Sequence, residues 1–268
     1  MNAGGPAVDP KERLRYRRVL SQTTNQEPGS DITQKFIKQF APLALAIAGM
    51  GSAHADMSLL DSSMYGAIVA GGNNATVGAV NFTSTPGNFV TKTVFGSSGL
   101  GVTGGRTGDE IDVGETISMS WANGQVIKSF SVAVLFNGTE YSDWAEVAQV
   151  KAYNGATLIG TGLLQVDAVL DNVATFNGTG FGSATNLSLA DSTHGGAWAV
   201  SNPFGNASVT RLEFTAVNSS LCGYGRCSNQ SDYTLSSVTA VPEPETLALM
   251  LAGLGAVGFV ARRRRPVG

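Results

Sequence analysis

The middle of the chain alternates apolar and polar side chains with a period of two, the pattern of a half-buried β-strand. Ile117, Met119 and Trp121 alternate with threonine and serines, and a longer alternating stretch continues to Phe136. An Asn-Gly step follows three of these segments, at positions 123–124, 137–138 and 154–155. Because Asn-Gly strongly favours a tight hairpin turn, the pattern predicts an antiparallel meander with a reversal at each step.

Similar short apolar segments, separated by Gly, Asn and Ser, run through residues 56–240. They predict about ten to twelve strands and no regular helical period. Glycine is abundant, at 34 of 268 residues, and only 14% of residues are charged, which favours an extracellular β domain over a cytosolic enzyme. We therefore predict an all-β fold, an antiparallel β-sandwich or jelly-roll-like domain at 56–240.

Residues 35–55 have the three parts of a secretory signal peptide. Lys35 and Lys38 precede a short apolar stretch, and Ala53 and Ala55 form a small-x-small cleavage site. Cleavage after Ala55 by signal peptidase, following passage through the Sec translocon, would leave a new N-terminus at residue 56. Residues 1–34 are polar and partly basic, which predicts either a disordered N-terminal extension or a start codon placed too far upstream.

The predicted exported domain is acidic. Residues 56–240 contain 14 Asp and Glu against 6 Lys and Arg, a net charge of −8. Because nucleic-acid binding depends on basic surface, this charge argues against a nucleic-acid partner.

The last 28 residues contain three signals in a fixed order. Pro242-Glu243-Pro244 is held extended by its prolines, and Thr246 follows. The 15 uncharged residues 247–261 would form a helix of roughly 22 Å, short of the ~30 Å hydrocarbon core. A block of four arginines then favours cytoplasmic retention of the C-terminus: Arg262, Arg263, Arg264 and Arg265. An ordinary short transmembrane anchor is the alternative.

Residues 241–265 resemble the PEP-CTERM sorting signal of Gram-negative bacteria, on the Pro-Glu-Pro triplet, the Gly-rich apolar stretch and the arginine block. The resemblance implies that an exosortase, a membrane-embedded protease or transpeptidase, recognises and processes this segment. It further implies an inner-membrane precursor, then a structural or adhesive protein at the cell surface or in the extracellular matrix, in contact with exopolysaccharide.

Cys222 and Cys227 are the only two cysteines. In an exported protein they predict a disulfide around a short loop. A metal pair is the alternative, but no further cysteine or nearby histidine completes such a site.

Four acidic residues follow a glycine-rich stretch: Asp109, Glu110, Asp112 and Glu115. Their spacing does not match an EF-hand. A Ca²⁺ site and a solvated acidic loop are the two interpretations, and no other cofactor is predicted.

Tyr141, Asp143 and Trp144 place aromatic rings beside a carboxylate, an arrangement that suits either sugar binding or the packing of a strand edge. A Ca²⁺-dependent carbohydrate-binding module is therefore one alternative function. A glycoside hydrolase, which needs two carboxylates about 5–9.5 Å apart, is another. His194 is the only histidine after the leader, and no Gly-x-Ser-x-Gly nucleophile motif occurs. We predict that the chain is not an enzyme.

Overall fold

The computed structural model describes residues 56–137, 145–170, 172–188, 195–219, 222–223, 226–227, 230–242 and 252–258. The described chain contains a 3₁₀ turn (Ser62–Met64), a short helix α1 (Tyr65–Ala70) and a helical segment at 252–258. The strands are β1 (Met57–Leu60), β2 (Asn74–Val77), β3 (Val80–Thr85), β4 (Phe89–Val94), β5 (Ser97–Val102), β6 (Thr116–Phe136), β7 (Val147–Asn154), β8 (Thr157–Val166), β9 (Ala174–Asn177), β10 (Ser183–Asn186), β11 (Gly195–Ser201), β12 (Ser208–Ala216), β13 (Cys222–Gly223), β14 (Arg226–Cys227) and β15 (Thr234–Pro242).

Strand β6 belongs to both halves of one large, antiparallel sheet. Its first part, 116–120, lies between β3 and β12, and β7, β8 and β9 continue outward from β12. Its second part, 125–136, lies between β15 and β11, with β5 and β4 beyond β15 and β10 beyond β11. The all-β, antiparallel prediction is confirmed, with the two halves joined through one shared strand.

Phe130 marks where the two halves pack face to face. It lies in the second part of β6, and its ring centroid is 5.6 Å from that of Phe214 on β12 and 5.9 Å from that of Phe176 on β9. Burial of apolar area between the halves supplies the main stabilisation of such a fold. The largest fully buried side chains include Tyr233, Phe82, Phe130, Phe214, Ile117 and Met119.

The hairpin predicted at Asn123-Gly124 is wrong. Strand β12 pairs antiparallel with Ser120 through Arg211 and with Gln125 through Val209, so the chain continues in the same direction. Residues 121–124 therefore form a wide bulge opposite Thr210, where β6 passes from one half to the other. Trp121 fixes this bulge, since its buried indole N–H donates to Val209 O at 2.8 Å.

The turn predicted at Asn154-Gly155 is confirmed. Asn154 pairs with Thr157, and Gly155 adopts a φ of 57°, a conformation that glycine takes readily. The Asn137-Gly138 step lies partly outside the described residues, because the description ends at Asn137.

The register gives the domain two distinct ends. We call the end that holds Met57, Gln125 and Pro242 the tail end, since these residues lie on neighbouring strands. We call the end that holds Phe136, Gly195 and the start of β15 the far end. The nine residues of β15 separate the two by roughly 26 Å, with eight steps of about 3.3 Å.

Candidate functional site: the C-terminal segment and its neighbours

The first residue of the Pro-Glu-Pro triplet is the last residue of a central strand. In β15, Pro242 is the register partner of Gln125 and Val241 is that of Val126. Ala240, just before them, is fully buried. Proline has no N–H to donate, so the end of a strand is where it fits a sheet. The candidate motif therefore begins inside the fold, with no linker before it.

Strand β1 lies beside this end of β15. Met57 is the register partner of Ala240, and Ser58 is that of Thr239. Asp56, just before β1, forms an ion pair with Lys128 of β6. The predicted cleavage residues Ala53 and Ala55 lie outside the described residues. The sequence pattern gave no indication that the start of the predicted mature chain pairs with the strand that carries the motif.

Most of the predicted sorting segment lies outside the described residues: Glu243, Pro244, Thr246, Arg262, Arg263, Arg264 and Arg265. Of this segment, 252–258 is helical and exposed throughout, with Leu254 at 63% and Val257 at 69%. Among the described residues, no helix has both the length and the apolar character required to cross a bilayer.

A family model, described as the PEP-CTERM protein-sorting motif, matches residues 240–265. The chain carries this motif. The match confirms the predicted resemblance and shares its first three residues, 240–242, with strand β15. A PEP-CTERM motif marks a protein for export and sorting to the cell surface, with an exosortase as its processing enzyme. No curated protein and no solved structure shows significant similarity to the chain.

The acidic loop is drawn into the fold rather than left in solvent. Glu110, Asp112 and Glu115 are buried. Asp112 Oδ2 accepts hydrogen bonds from the N–H groups of Arg106 and Thr107 at 2.8 and 3.0 Å. A carboxylate that accepts several backbone donors holds the turn that supplies them. Asp112 thus organises the loop before β6, a role that its spacing alone did not indicate.

The other three acidic residues of the loop also form ion pairs or hydrogen bonds within the domain. Asp109 and Glu110 both pair with Lys92 of β4, Asp109 at 2.9 Å. Glu115 Oε2 accepts from Asp112 N–H at 2.9 Å. Across the described residues, no three His, Cys, Asp or Glu side chains form a group that could hold a metal ion. Ca²⁺ binding by the acidic loop stays a prediction.

The pKa values of Glu115, in this loop, and of Lys92, which pairs with the loop from β4, are both raised, for different reasons. The pKa of Glu115 is raised from its usual value, mainly because burial disfavours the charged carboxylate, despite the hydrogen bond from Asp112 N–H. For Lys92, burial acts to lower the pKa, but hydrogen bonds and charge attraction from Glu110 and Asp109 outweigh it, and the pKa is raised. Lys92 therefore stays charged at neutral pH and offsets two carboxylates.

The predicted sugar-binding residues Tyr141, Asp143 and Trp144 lie outside the described residues, as does His194. Their flanking residues are described. Asn137 is buried just beyond β6, and Ala145 is buried just before β7. Glu146 is also buried and accepts a hydrogen bond from Phe136 N–H, so it joins two strands. The described residues on either side of 138–144 therefore lie at the far end.

The two cysteines are register partners. Cys222 of β13 lies opposite Cys227 of β14 in a two-stranded antiparallel ladder. Directly opposed residues in such a ladder have Cα atoms about 4.5–5.5 Å apart, which lies within the usual disulfide range of about 4.4–6.8 Å. The pairing is compatible with the predicted disulfide, which stays a prediction because the side chains lie outside the described set.

Proposed function

We propose that this chain is a precursor that the Sec translocon exports, signal peptidase cleaves after Ala55, and exosortase then processes at its PEP-CTERM segment. Before processing, the apolar residues 247–261 hold the precursor at the inner membrane. The processed β domain is displayed at the cell surface or enters the extracellular matrix, where it has a structural or adhesive role next to exopolysaccharide. The observation that carries the proposal is the motif at 240–265, which begins at the end of a core strand, with Ala240 in the core.

The shape of the domain supports this role. The described strand ends at Pro242 at the tail end, while Asn137 and Glu146, the described residues around 138–144, lie at the far end beside Phe136. A domain held at the membrane through its C-terminal segment would therefore direct the far end away from the bilayer. That is the end through which a surface protein would contact its matrix.

Cell fractionation tests the proposal. In cells with exosortase, we expect the protein in the outer surface and matrix fractions. In matched cells without exosortase, we expect it in the inner-membrane fraction. In cells with exosortase, the variant Glu243→Ala, which keeps all four arginines, should remain in the inner-membrane fraction, as wild type does in cells without exosortase. The same distribution of wild type in both strains would contradict the proposal.

A second function, carbohydrate binding, is favoured by the sequence, in which Tyr141 and Trp144 flank Asp143, and by the described residues on either side, which lie at the far end. Aromatic rings beside a carboxylate can stack on a sugar ring and hydrogen-bond its hydroxyls. A glycan array probed with the secreted protein, with and without a calcium chelator, tests this role. Binding lost in Trp144→Ala and kept in Phe181→Ala, which alters an exposed ring elsewhere, would support it. Absence of binding to every glycan on a broad array would contradict it.

A further inference from the structure

Strand β15 reaches the sorting motif while still paired on both sides. On one side, its residues from Val238 to Pro242 pair with β6. On the other side, Val238, Thr239 and Ala240 pair with β1. Val238 and Ala240 are fully buried. This part of the chain is therefore an interior strand of the sheet and not a linker to it.

Withdrawing this part of β15 would be costly. A protease that cuts before Pro242 must take the residues around the cut out of the sheet, because its active site needs access to the backbone. That step would break pairs with two strands and expose the buried side chains of Val238 and Ala240. Each buried polar group left unpaired, and each apolar side chain returned to water, removes a substantial part of the small net stability of a domain.

The tail end also brings together the two points where the precursor is tethered. Asp56, the first residue of the predicted mature chain, precedes Met57, the register partner of Ala240. The signal peptide and the C-terminal apolar segment therefore join the domain on adjacent strands at one end. The domain can fold with both tethers in the same membrane, since neither needs to pass across or through it.

We propose that exosortase acts on the already folded domain, that its cut falls after Pro242, and that the end of β15 stays paired between β1 and β6 in the mature protein. This inference rests on the proposed function. It assigns the tail end, defined by Met57, Gln125 and Pro242, as the surface that faces exosortase during processing. Strand β1 is thereby a positioning element for the reaction, since it holds β15 in place without contacting the reacting bond.

A covalent lock between β1 and β15 tests this directly in the full-length chain. Ser58 and Thr239 are register partners, with Ser58 exposed and Thr239 half-buried. The double variant Ser58→Cys/Thr239→Cys should form a cross-strand disulfide in the oxidising compartment, because opposed residues have suitable spacing. The single variants Ser58→Cys and Thr239→Cys are the matched controls. Thiol labelling shows whether the lock has formed, and intact mass gives the processed fraction and the C-terminal residue.

We expect the locked variant to be processed to the same fraction as wild type and both controls, with every product ending at Pro242 or beyond. Accumulation of the locked precursor, while the single variants are processed, would overturn the inference. A product that ends at or before Val241 would also overturn it, as would two free engineered thiols in the folded protein. If wild type keeps its tail in the presence of exosortase, the proposed function itself is contradicted, which distinguishes the two failures.

Discussion

Strand β15 and the helical segment 252–258 are separated by nine residues, and they use apolar side chains in opposite ways. In β15, Leu235, Val238 and Ala240 are fully buried. In the helical segment, every residue is exposed, including Leu254 and Val257. The apolar side chains of the strand are part of the domain core, whereas those of the helical segment are exposed and could contact a membrane. The PEP-CTERM motif begins in the first region, at residue 240, and extends past the second to residue 265.

This contrast separates folding from sorting along the chain. Substitutions in the sheet should change the free energy of unfolding and leave recognition of the motif intact. Substitutions beyond Pro242 should change processing and leave the stability of the domain intact. Among substitutions that test this separation, loss of the charge at Glu243 should have the largest effect.

Replacing Glu243 by Ala should nearly abolish processing by exosortase, because it removes the only charged side chain of the Pro-Glu-Pro triplet. The unfolding midpoint of the domain should stay unchanged, because Glu243 follows the last residue of β15. Gel mobility and intact mass measure the processed fraction. Val241→Ala, a change inside the strand, is the control and should be processed. Normal processing of Glu243→Ala would remove the distinction between the regions.

Phe130→Ala should destabilise the secreted domain by about 3–5 kcal/mol, the usual cost of removing a buried ring. The reason is that Phe130 contacts rings on both β12 and β9, so its loss leaves a cavity between the halves. Urea unfolding of the secreted protein measures the change. Phe181→Ala is the control, because that ring is 53% exposed and should matter little. Equal effects would contradict the assigned core.

Tyr65→Phe should cost about 1 kcal/mol, the typical net contribution of one hydrogen bond. The Tyr65 hydroxyl donates to Ser236 O of β15 at 2.6 Å. Burial raises the pKa of Tyr65 from 10.0 to about 12. The folded state thus favours the neutral phenol, so this stabilisation is present below pH 10.0 and is lost as the pH rises towards 12. Urea unfolding of both proteins from pH 10 to 12 should show that the free energy of unfolding falls more steeply with pH in wild type than in Tyr65→Phe. Parallel slopes would contradict the assignment.

Glu115→Gln should give the smallest effect, visible as a change in pH dependence. Because burial raises the pKa of Glu115 above its usual 4.5, the folded state favours the neutral acid. That contribution is present below the unfolded-state pKa and is lost as the pH rises through the folded-state pKa. The stability of the variant relative to wild type should therefore increase from pH 4.5 upward.

Asp167→Asn is a control of opposite sign for the Glu115 prediction. Hydrogen bonds from the N–H groups of Leu170 and Val169 lower the pKa of Asp167. The ionised carboxylate of Asp167 therefore stabilises the folded state above its unfolded-state pKa, and this stabilisation is lost as the pH falls through the folded-state pKa. The same trend with pH in both variants would contradict the assigned environments.

The sequence predicted those parts of the fold that depend on local pattern. Alternation predicted the strands around Ile117 and Phe130, and Asn154-Gly155 predicted a turn that the structure contains. The hairpin predicted at Asn123-Gly124 was wrong, because a β-bulge and a hairpin turn both favour the flexible residues Asn and Gly. Only the long-range partner, β12, determines which of them forms. The inward alternation of β12 also breaks between Val209 and Leu212, opposite that bulge.

The candidate site divides in the same way. The sorting motif was recognisable from residues close together in the chain. The pairing of Met57 with Ala240 was not, because it joins residues at opposite ends of the predicted mature chain and leaves no local pattern. The role of Asp112 was also hidden, since a carboxylate that could bind Ca²⁺ and one that accepts backbone N–H groups look alike in sequence.

The central claim is that exosortase releases a complete β domain from its membrane segment. Intact mass with terminal peptide mapping, on protein from cells with and without exosortase, tests it most directly. We predict that the product with exosortase begins at Asp56, ends at Pro242 or beyond and lacks the arginine block, while the product without it extends through Gly268. A chain that keeps residues up to Gly268 in both strains would contradict the account and leave the C-terminal segment as a permanent anchor.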